Sequence, residues 1–161
     1  FLLFTAISYL LSVIGGAQFV ASPSTILPEI IQLAKLAPGE RFLELGSGEG
    51  SLCLAIAKQT SARVIGIDIN PLLILYSRWR SRSNPDVSFV WGDLRSVDLS
   101  RIDVLYCYLL PALLQKLAPR FSKQLPRGAR VISYAFPIPG RAPSQTHRAN
   151  PNHSTLYLYQ Y

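Results

Sequence analysis

Methionine is absent from all 161 residues, position 1 included, so we expect a fragment or a processed or trimmed form. Cysteine occurs only twice, which excludes a disulfide scaffold. Charge is sparse at 16%, and with 12 prolines and 10 glycines it argues against a coiled coil. Disorder is excluded as well, because 49% of the residues are hydrophobic. The sequence has no Walker motif, no nucleophile elbow and no metal-ligand spacing, so we expect no metal. Cys53 and Cys107 fall on a helix and a strand and read as small buried hydrophobes. His147 and His153 lie in a polar loop and read as solvated.

What is present fits one domain with a sizeable core. Sixteen Lys and Arg against nine Asp and Glu leave +7, scattered along the chain, which favours an anionic neighbour without choosing one. The first 28 residues carry no charge; Glu29 is the first. Within them residues 1–14 (FLLFTAISYLLSVI) are nearly all apolar, before Gly15-Gly16 interrupts. A helix of that length spans about 21 Å, short of the roughly 30 Å hydrocarbon core unless it runs on to Val20. No basic stretch precedes the run, which disfavours a signal peptide. We therefore divide the chain into an apolar segment, 1–22, and a domain, 23–161. A truncated membrane anchor and a buried helix fit the first segment equally.

From Glu29 onward the pattern is regular. Apolar residues at helical spacing (Ile26, Ile30, Ile31, Leu33, Ala34) run up to Pro38-Gly39. Strands are expected at 41–45, 63–68, 87–91, 102–108 and 129–136, with helices at 51–60, 71–82 and 111–123. A proline-rich link leads to an alternating strand at 155–161, which should pair antiparallel with a short strand near 145–149. Strands alternating with helices give an α/β fold, a Rossmann-like, doubly wound, mostly parallel sheet covered on both faces.

The chemistry begins at Glu44-Leu45-Gly46-Ser47-Gly48-Glu49-Gly50. Glycines at alternate positions after a buried strand allow a tight turn and close approach of a ligand to backbone, beside the free N–H groups of the next helix. Eighteen residues beyond Gly50 the second strand ends in Asp68, placed to accept hydrogen bonds from both hydroxyls of a ribose. Glu44 and Glu49 bracket the glycines; they would repel a pyrophosphate but suit a ligand with an amine and a sulfonium. That combination points to S-adenosylmethionine rather than a dinucleotide.

Asp93, after the third strand, can accept from an adenine amino group or cap a turn. After the fourth strand, Tyr106 and Tyr108 alternate on one face ahead of Pro111, bordering the donor site at the carboxyl ends of the strands. Tyr134 and Phe136 point the same way as each other. These aromatics could line a channel for an amine or simply fill the core. For Tyr108 the two are balanced, and for Tyr134 the core is favoured. Neither Asn70-Pro71 nor Asn150-Pro151 extends to the Asn-Pro-Pro-aromatic pattern used on base amines, which counts against a nucleic-acid substrate.

Together ELGSGEG, GIDINPLL, WGDL, YLLP and RGARVISYAFPIPG resemble one family of seven-strand lysine methyltransferases. It holds the mitochondrial enzymes that methylate the ATP synthase c-subunit and the adenine nucleotide translocase, with prokaryotic relatives. The resemblance covers residues 16–161. It implies a cofactor-binding set of Glu44, Gly46, Ser47, Gly48, Glu49, Gly50, Asp68, Ile69, Asn70, Asp93 and Leu94. Tyr106, Tyr108 and Pro111 would belong to a substrate lip, with no general base. It implies a protein-lysine N-methyltransferase using S-adenosylmethionine, acting as a monomer on a membrane-associated protein, with no nucleic-acid partner. Members carry an apolar N-terminal segment, which favours the anchor for 1–14. The catalytic domain would then sit at a membrane on the cytoplasmic side, or at the mitochondrial membrane in a eukaryote. The chain departs from the pattern at Phe19-Val20-Ala21-Ser22-Pro23, where relatives read Phe-Val-Pro-Thr. Methylation of a lipid, quinone or other small molecule, and a non-catalytic nucleoside-binding relative, are the alternatives.

Overall fold

The computed structural model describes residues 22–148 and 150–161. The expected segment 1–14 lies outside them. A 3-10 turn at Ser24–Ile26 leads into α1 (Leu27–Ala34), which Lys35 ends in the left-handed region at φ 45°. There follow β1 (Arg41–Leu45), α2 (Ser51–Gln59), β2 (Arg63–Asp68), α3 (Pro71–Ser81) and β3 (Val87–Trp91). The second half holds β4 (Val104–Cys107), α4 (Pro111–Gln124), β5 (Arg130–Tyr134), β6 (Gln145–His147) and β7 (Leu156–Gln160). Helix starts follow from local chemistry. Asn70 caps α3, its side-chain oxygen accepting from the backbone N–H of Leu72 at 3.0 Å, and Pro71 occupies the first turn.

The seven strands form one sheet in the order β3-β2-β1-β4-β5-β7-β6. β1 to β5 pair in parallel, while β7 runs antiparallel to both β5 and β6, as the sequence pattern led us to expect. Because the chain winds outward from β1 to β3 and then returns to β4, strand order reverses between β1 and β4. That reversal opens a crevice at the carboxyl ends of the central strands.

Each sheet face carries its own core. Phe42, Val64, Phe89, Val104, Tyr106 and Ile132 pack toward Ile30 of α1, Ile56 of α2 and Ile74 of α3. Leu43, Leu45, Ile67, Leu105 and Val131 pack toward Leu114, Leu117 and Phe121 of α4. Two glycines make room on the first face. A Cβ on Gly50 would stand 2.4 Å from Phe89 Cζ, and one on Gly66 would stand 2.6 Å from Phe89 Cδ1. The Phe89 ring thus fills a slot left by two absent side chains.

Strands β4 and β5 are shorter than expected. β4 begins at Val104 because Ile102 N–H donates to Leu99 O at 3.2 Å, closing a turn just before it. β5 ends at Tyr134 because Ala135 adopts φ 68°. That residue breaks the alternation, so Tyr134 packs in the first core and Phe136 against the second. The expectation that the two rings share a face is therefore corrected.

Candidate functional site

The loop after β1 is shaped by Gly46, Gly48 and Gly50, all at positive φ (79°, 53° and 77°), a region few other residues occupy cheaply. Gly46 and Ser47 N–H groups both donate to Ile67 O, tying the loop to β2. The Asp68 carboxylate then bridges two loops: Oδ2 accepts from Gly48 N–H and Oδ1 from Asn70 N–H, both at 2.9 Å. Each oxygen keeps acceptor capacity. Burial raises the Asp68 pKa, and the backbone donors offset part of that rise.

Glu44, near the end of β1, is buried, and its Oε2 accepts from Cys53 Sγ at 3.0 Å. Burial, aided by the neighbouring Asp68 charge, pushes its pKa up to about 8. Cys53 is thus more than the small hydrophobe expected of it: its thiol holds a carboxyl at the base of the crevice. A cysteine one helical turn beyond the glycine loop, facing back toward the strand that feeds it, was the signal available in the sequence.

Among the described residues no Lys, Arg or His forms an ion pair with Glu44 or Asp68. The Asp68 acceptor beside a glycine loop fits a nucleoside, and a cationic one such as S-adenosylmethionine would favour ionising the buried Glu44 carboxyl, which is held largely neutral without it. Glu49 differs. Ser51 Oγ donates to it at 2.7 Å and Arg80 lies 3.8 Å away, so its charge is already balanced. Ser47 Oγ is buried without a hydrogen-bond partner among the described residues, and its Cβ lies over Gly66.

On the side of β3, Ile69 is exposed, and its carbonyl accepts from Trp91 Nε1 at 3.0 Å, a contact the sequence does not announce. Asn70 is buried as the helix cap. Asp93 forms the turn after β3, where Arg95 grips its carboxylate through Nε and Nη2 (2.6 Å) and holds its pKa below the usual range. The turn role weighed for Asp93 is therefore occupied, and an adenine contact would share this carboxylate with Arg95. Leu94 is buried in the second core. From α4, Arg120 donates to Leu94 O at 3.1 Å and to Val97 O at 2.6 Å, clamping this segment.

On the β4 side, Tyr106 is fully buried opposite Glu44 in the sheet register, and its hydroxyl shares a 2.7 Å hydrogen bond with Ser22 Oγ. Tyr106 therefore lies beneath the lip rather than on it, a correction that follows from its place inside a central strand. Ser22 thus sits against this tyrosine. Tyr108 is half-buried, edge-on to Tyr134 at 4.9 Å between centroids. Leu110 and Pro111 are exposed beyond it. His153 is not simply solvated: Thr25 Oγ1 lies 3.0 Å from its Nε2, and Asn150 Nδ2 lies 3.3 Å from its Nδ1.

The raised Glu44 pKa gives a first expected outcome. Ionising this carboxyl is easy in the unfolded chain, at about 4.5, and hard in the fold, at about 8. Its favourable contribution is complete below pH 4.5 and is lost as pH rises to 8, a span worth on the order of 3–5 kcal/mol. Urea denaturation at pH 5 and pH 9 should show Glu44→Gln losing less stability on the alkaline side than the parent. Parallel losses would assign the titration elsewhere.

Comparison with known proteins places the chain among methyltransferases. Residues 44–145 match the family model described as ANTKMT methyltransferase domain. A protein-lysine N-methyltransferase of Saccharolobus islandicus is 28% identical over 156 residues, covering 92% of this chain and 96% of that protein. The adenine nucleotide translocase lysine N-methyltransferase of Mus musculus is 31% identical over 124 residues, covering 75% of this chain and 54% of that protein. The chain spans about half the length of the mouse relatives it matches. Among solved structures, an RNA methyltransferase from Salinibacter ruber in complex with S-adenosyl-L-homocysteine superposes with TM-score 0.82 at 31% identity, over 88% of this chain and 93% of that one.

Proposed function

The chain belongs to the ANTKMT methyltransferase domain family, and we propose that it methylates the side-chain amine of lysine in a protein. It is an S-adenosylmethionine-dependent methyltransferase. One observation carries the choice of acceptor: the protein-lysine N-methyltransferase of Saccharolobus islandicus is matched over 96% of its length. Among the described residues no helix is long and apolar enough to cross a membrane. We infer a membrane-associated substrate from the relatives named for the adenine nucleotide translocase and the ATP synthase c-subunit.

S-adenosylmethionine, when bound, would supply a methyl group to a neutral lysine nitrogen, its carbon–sulfur bond breaking as the carbon–nitrogen bond forms and S-adenosylhomocysteine leaving. The chain's own residues bind and orient. Glu44, with Cys53 behind it, and the 46–50 loop would hold the methionine part, and Asp68 the ribose. Ile69 and Trp91 would flank the base. The acceptor must lose its proton. With an ordinary pKa of about 10.4, roughly 1 lysine in 2500 is neutral at pH 7, a cost of about 4.6 kcal/mol. The apolar lip of Tyr108, Leu110 and Pro111 would lower that cost by withholding water from the ammonium. Alignment across the crevice supplies much of the rest.

A second reading, RNA as acceptor, is favoured by the name of the Salinibacter ruber protein. Transfer of labelled methyl to separated protein, RNA and lipid fractions distinguishes these, with mass spectrometry locating the modified residue. We expect label on lysine. Tyr108→Ala should lower transfer by about 10- to 100-fold, the span of a lost positioning contact, and leave donor affinity within about twofold. Label confined to RNA or lipid refutes the lysine assignment.

A further inference from the structure

The outer face of α3 combines exposed apolar side chains with arginines. Its inner residues Leu73, Ile74, Ser77 and Ser81 are buried. On the other side Leu75 is 67% exposed, Tyr76 41% and Trp79 60%, three of the seven large hydrophobics exposed among the described residues. Arginines interleave with them at 78, 80 and 82, and no acidic residue occurs between Asp68 and Asp86. Arg80 is partly balanced by Glu49, whereas Arg78 and Arg82 form no ion pair among the described residues. Among the described residues those two donate to main-chain oxygens, Arg78 Nε to Phe89 O and Arg82 Nη1 to Trp79 O, and meet no carboxylate.

We propose that this face of α3 docks on an anionic bilayer surface. Aromatic and aliphatic side chains backed by arginine form the composition that settles at the boundary of headgroups and acyl chains. Arginine stems can cover the apolar edge while their heads reach phosphate. The positive charge without acidic neighbours complements an anionic leaflet, where each such residue is worth about 1 kcal/mol, roughly fivefold in binding. A nucleic acid fits less well. Tyr76 and Trp79 stack on each other (6.1 Å between centroids), and guanidinium groups stand over both rings, Arg80 at 5.6 Å and Arg82 at 4.9 Å. These contacts leave little ring face for bases, while Leu75 would gain nothing from a polar partner. The helix begins at Pro71, three residues after Asp68 closes β2, so a docked α3 lies beside the crevice. The inference does not rest on lysine being the acceptor.

The test uses the full chain with vesicles of phosphatidylcholine alone or mixed with phosphatidylglycerol. The chain has two tryptophans, so Trp91→Phe leaves Trp79 as the sole indole reporter. Flotation should favour the anionic vesicles by roughly tenfold or more, and the Trp79 emission should shift to the blue as they are added. Leu75→Glu should cut binding by about tenfold and, separately, the pair Arg78→Gln with Arg82→Gln by about 25-fold. Thermal melting establishes that these variants fold. Flotation with an unshifted Trp79 would place the contact elsewhere on the chain, and equal binding by parent and variants would do the same. A Trp79 response to RNA homopolymer but not to vesicles would replace the bilayer by nucleic acid. Absence of binding to either vesicle would also overturn the proposal.

Discussion

Gly50→Ala should destabilise the fold by about 2–5 kcal/mol. The new Cβ would stand 2.4 Å from Phe89 Cζ and 2.6 Å from Cε1, in a core with no slack; such overpacking costs about 1–3 kcal/mol. The φ of 77° adds about 1–2 kcal/mol for any residue with a side chain. Against a typical total of about 5–15 kcal/mol, this is a large share. Two comparisons separate the causes. Gly39 has φ 81° with nothing within 4 Å of the position of its Cβ, so Gly39→Ala should show the backbone cost alone. Adding Phe89→Leu to Gly50→Ala should recover part of the packing cost and none of the backbone cost. Urea midpoints measure all four proteins. A midpoint for Gly50→Ala equal to that of the parent would mean the loop and ring yield freely, contrary to the packing described.

Asp68→Ala should weaken S-adenosylhomocysteine binding by about 2–4 kcal/mol, from tens-fold to nearly a thousandfold in Kd. Two effects combine. The acceptor proposed for the ribose is removed, and the N–H groups of Gly48 and Asn70 lose the oxygens that now order both loops. Asp68→Asn should fall between, because its single carbonyl oxygen can serve one loop while its amide nitrogen faces the other donor. Calorimetry with the demethylated product avoids turnover. Equal affinity for parent and alanine variant would remove Asp68 from the cofactor site.

Much of this site can be read along the chain, and the reasons are physical. β1, buried on both faces, reads as a short apolar run, and the edge strand β3 reads by alternation, so the limits of β1, β2 and β3 stand in the sequence. The glycine loop and Asp68 are legible because their backbone demands are local. What escapes the sequence depends on contacts between distant residues. Cys53 looks apolar until Glu44 is seen 3.0 Å from its sulfur. Tyr106 and Tyr108 look alike, yet one is sealed within a central strand while the other extends past its end. Phe136 follows period-two alternation only if Ala135 stays extended, which it does not. Asp93 is available to a ligand by position, but Arg95 reaches it first.

Arg120 holds the segment after β3 through the carbonyl oxygens of Leu94 and Val97. Such a clamp recognises main chain, so it places few demands on which side chains the segment displays. Arg95 and Ser96 bind back to Asp93 in the turn itself, Arg95 to its carboxylate and Ser96 Oγ to its carbonyl oxygen, so the backbone past the crevice is held from two sides. Loss of Arg120 alone would therefore loosen the Leu94–Val97 end of the segment and leave the Asp93 turn closed.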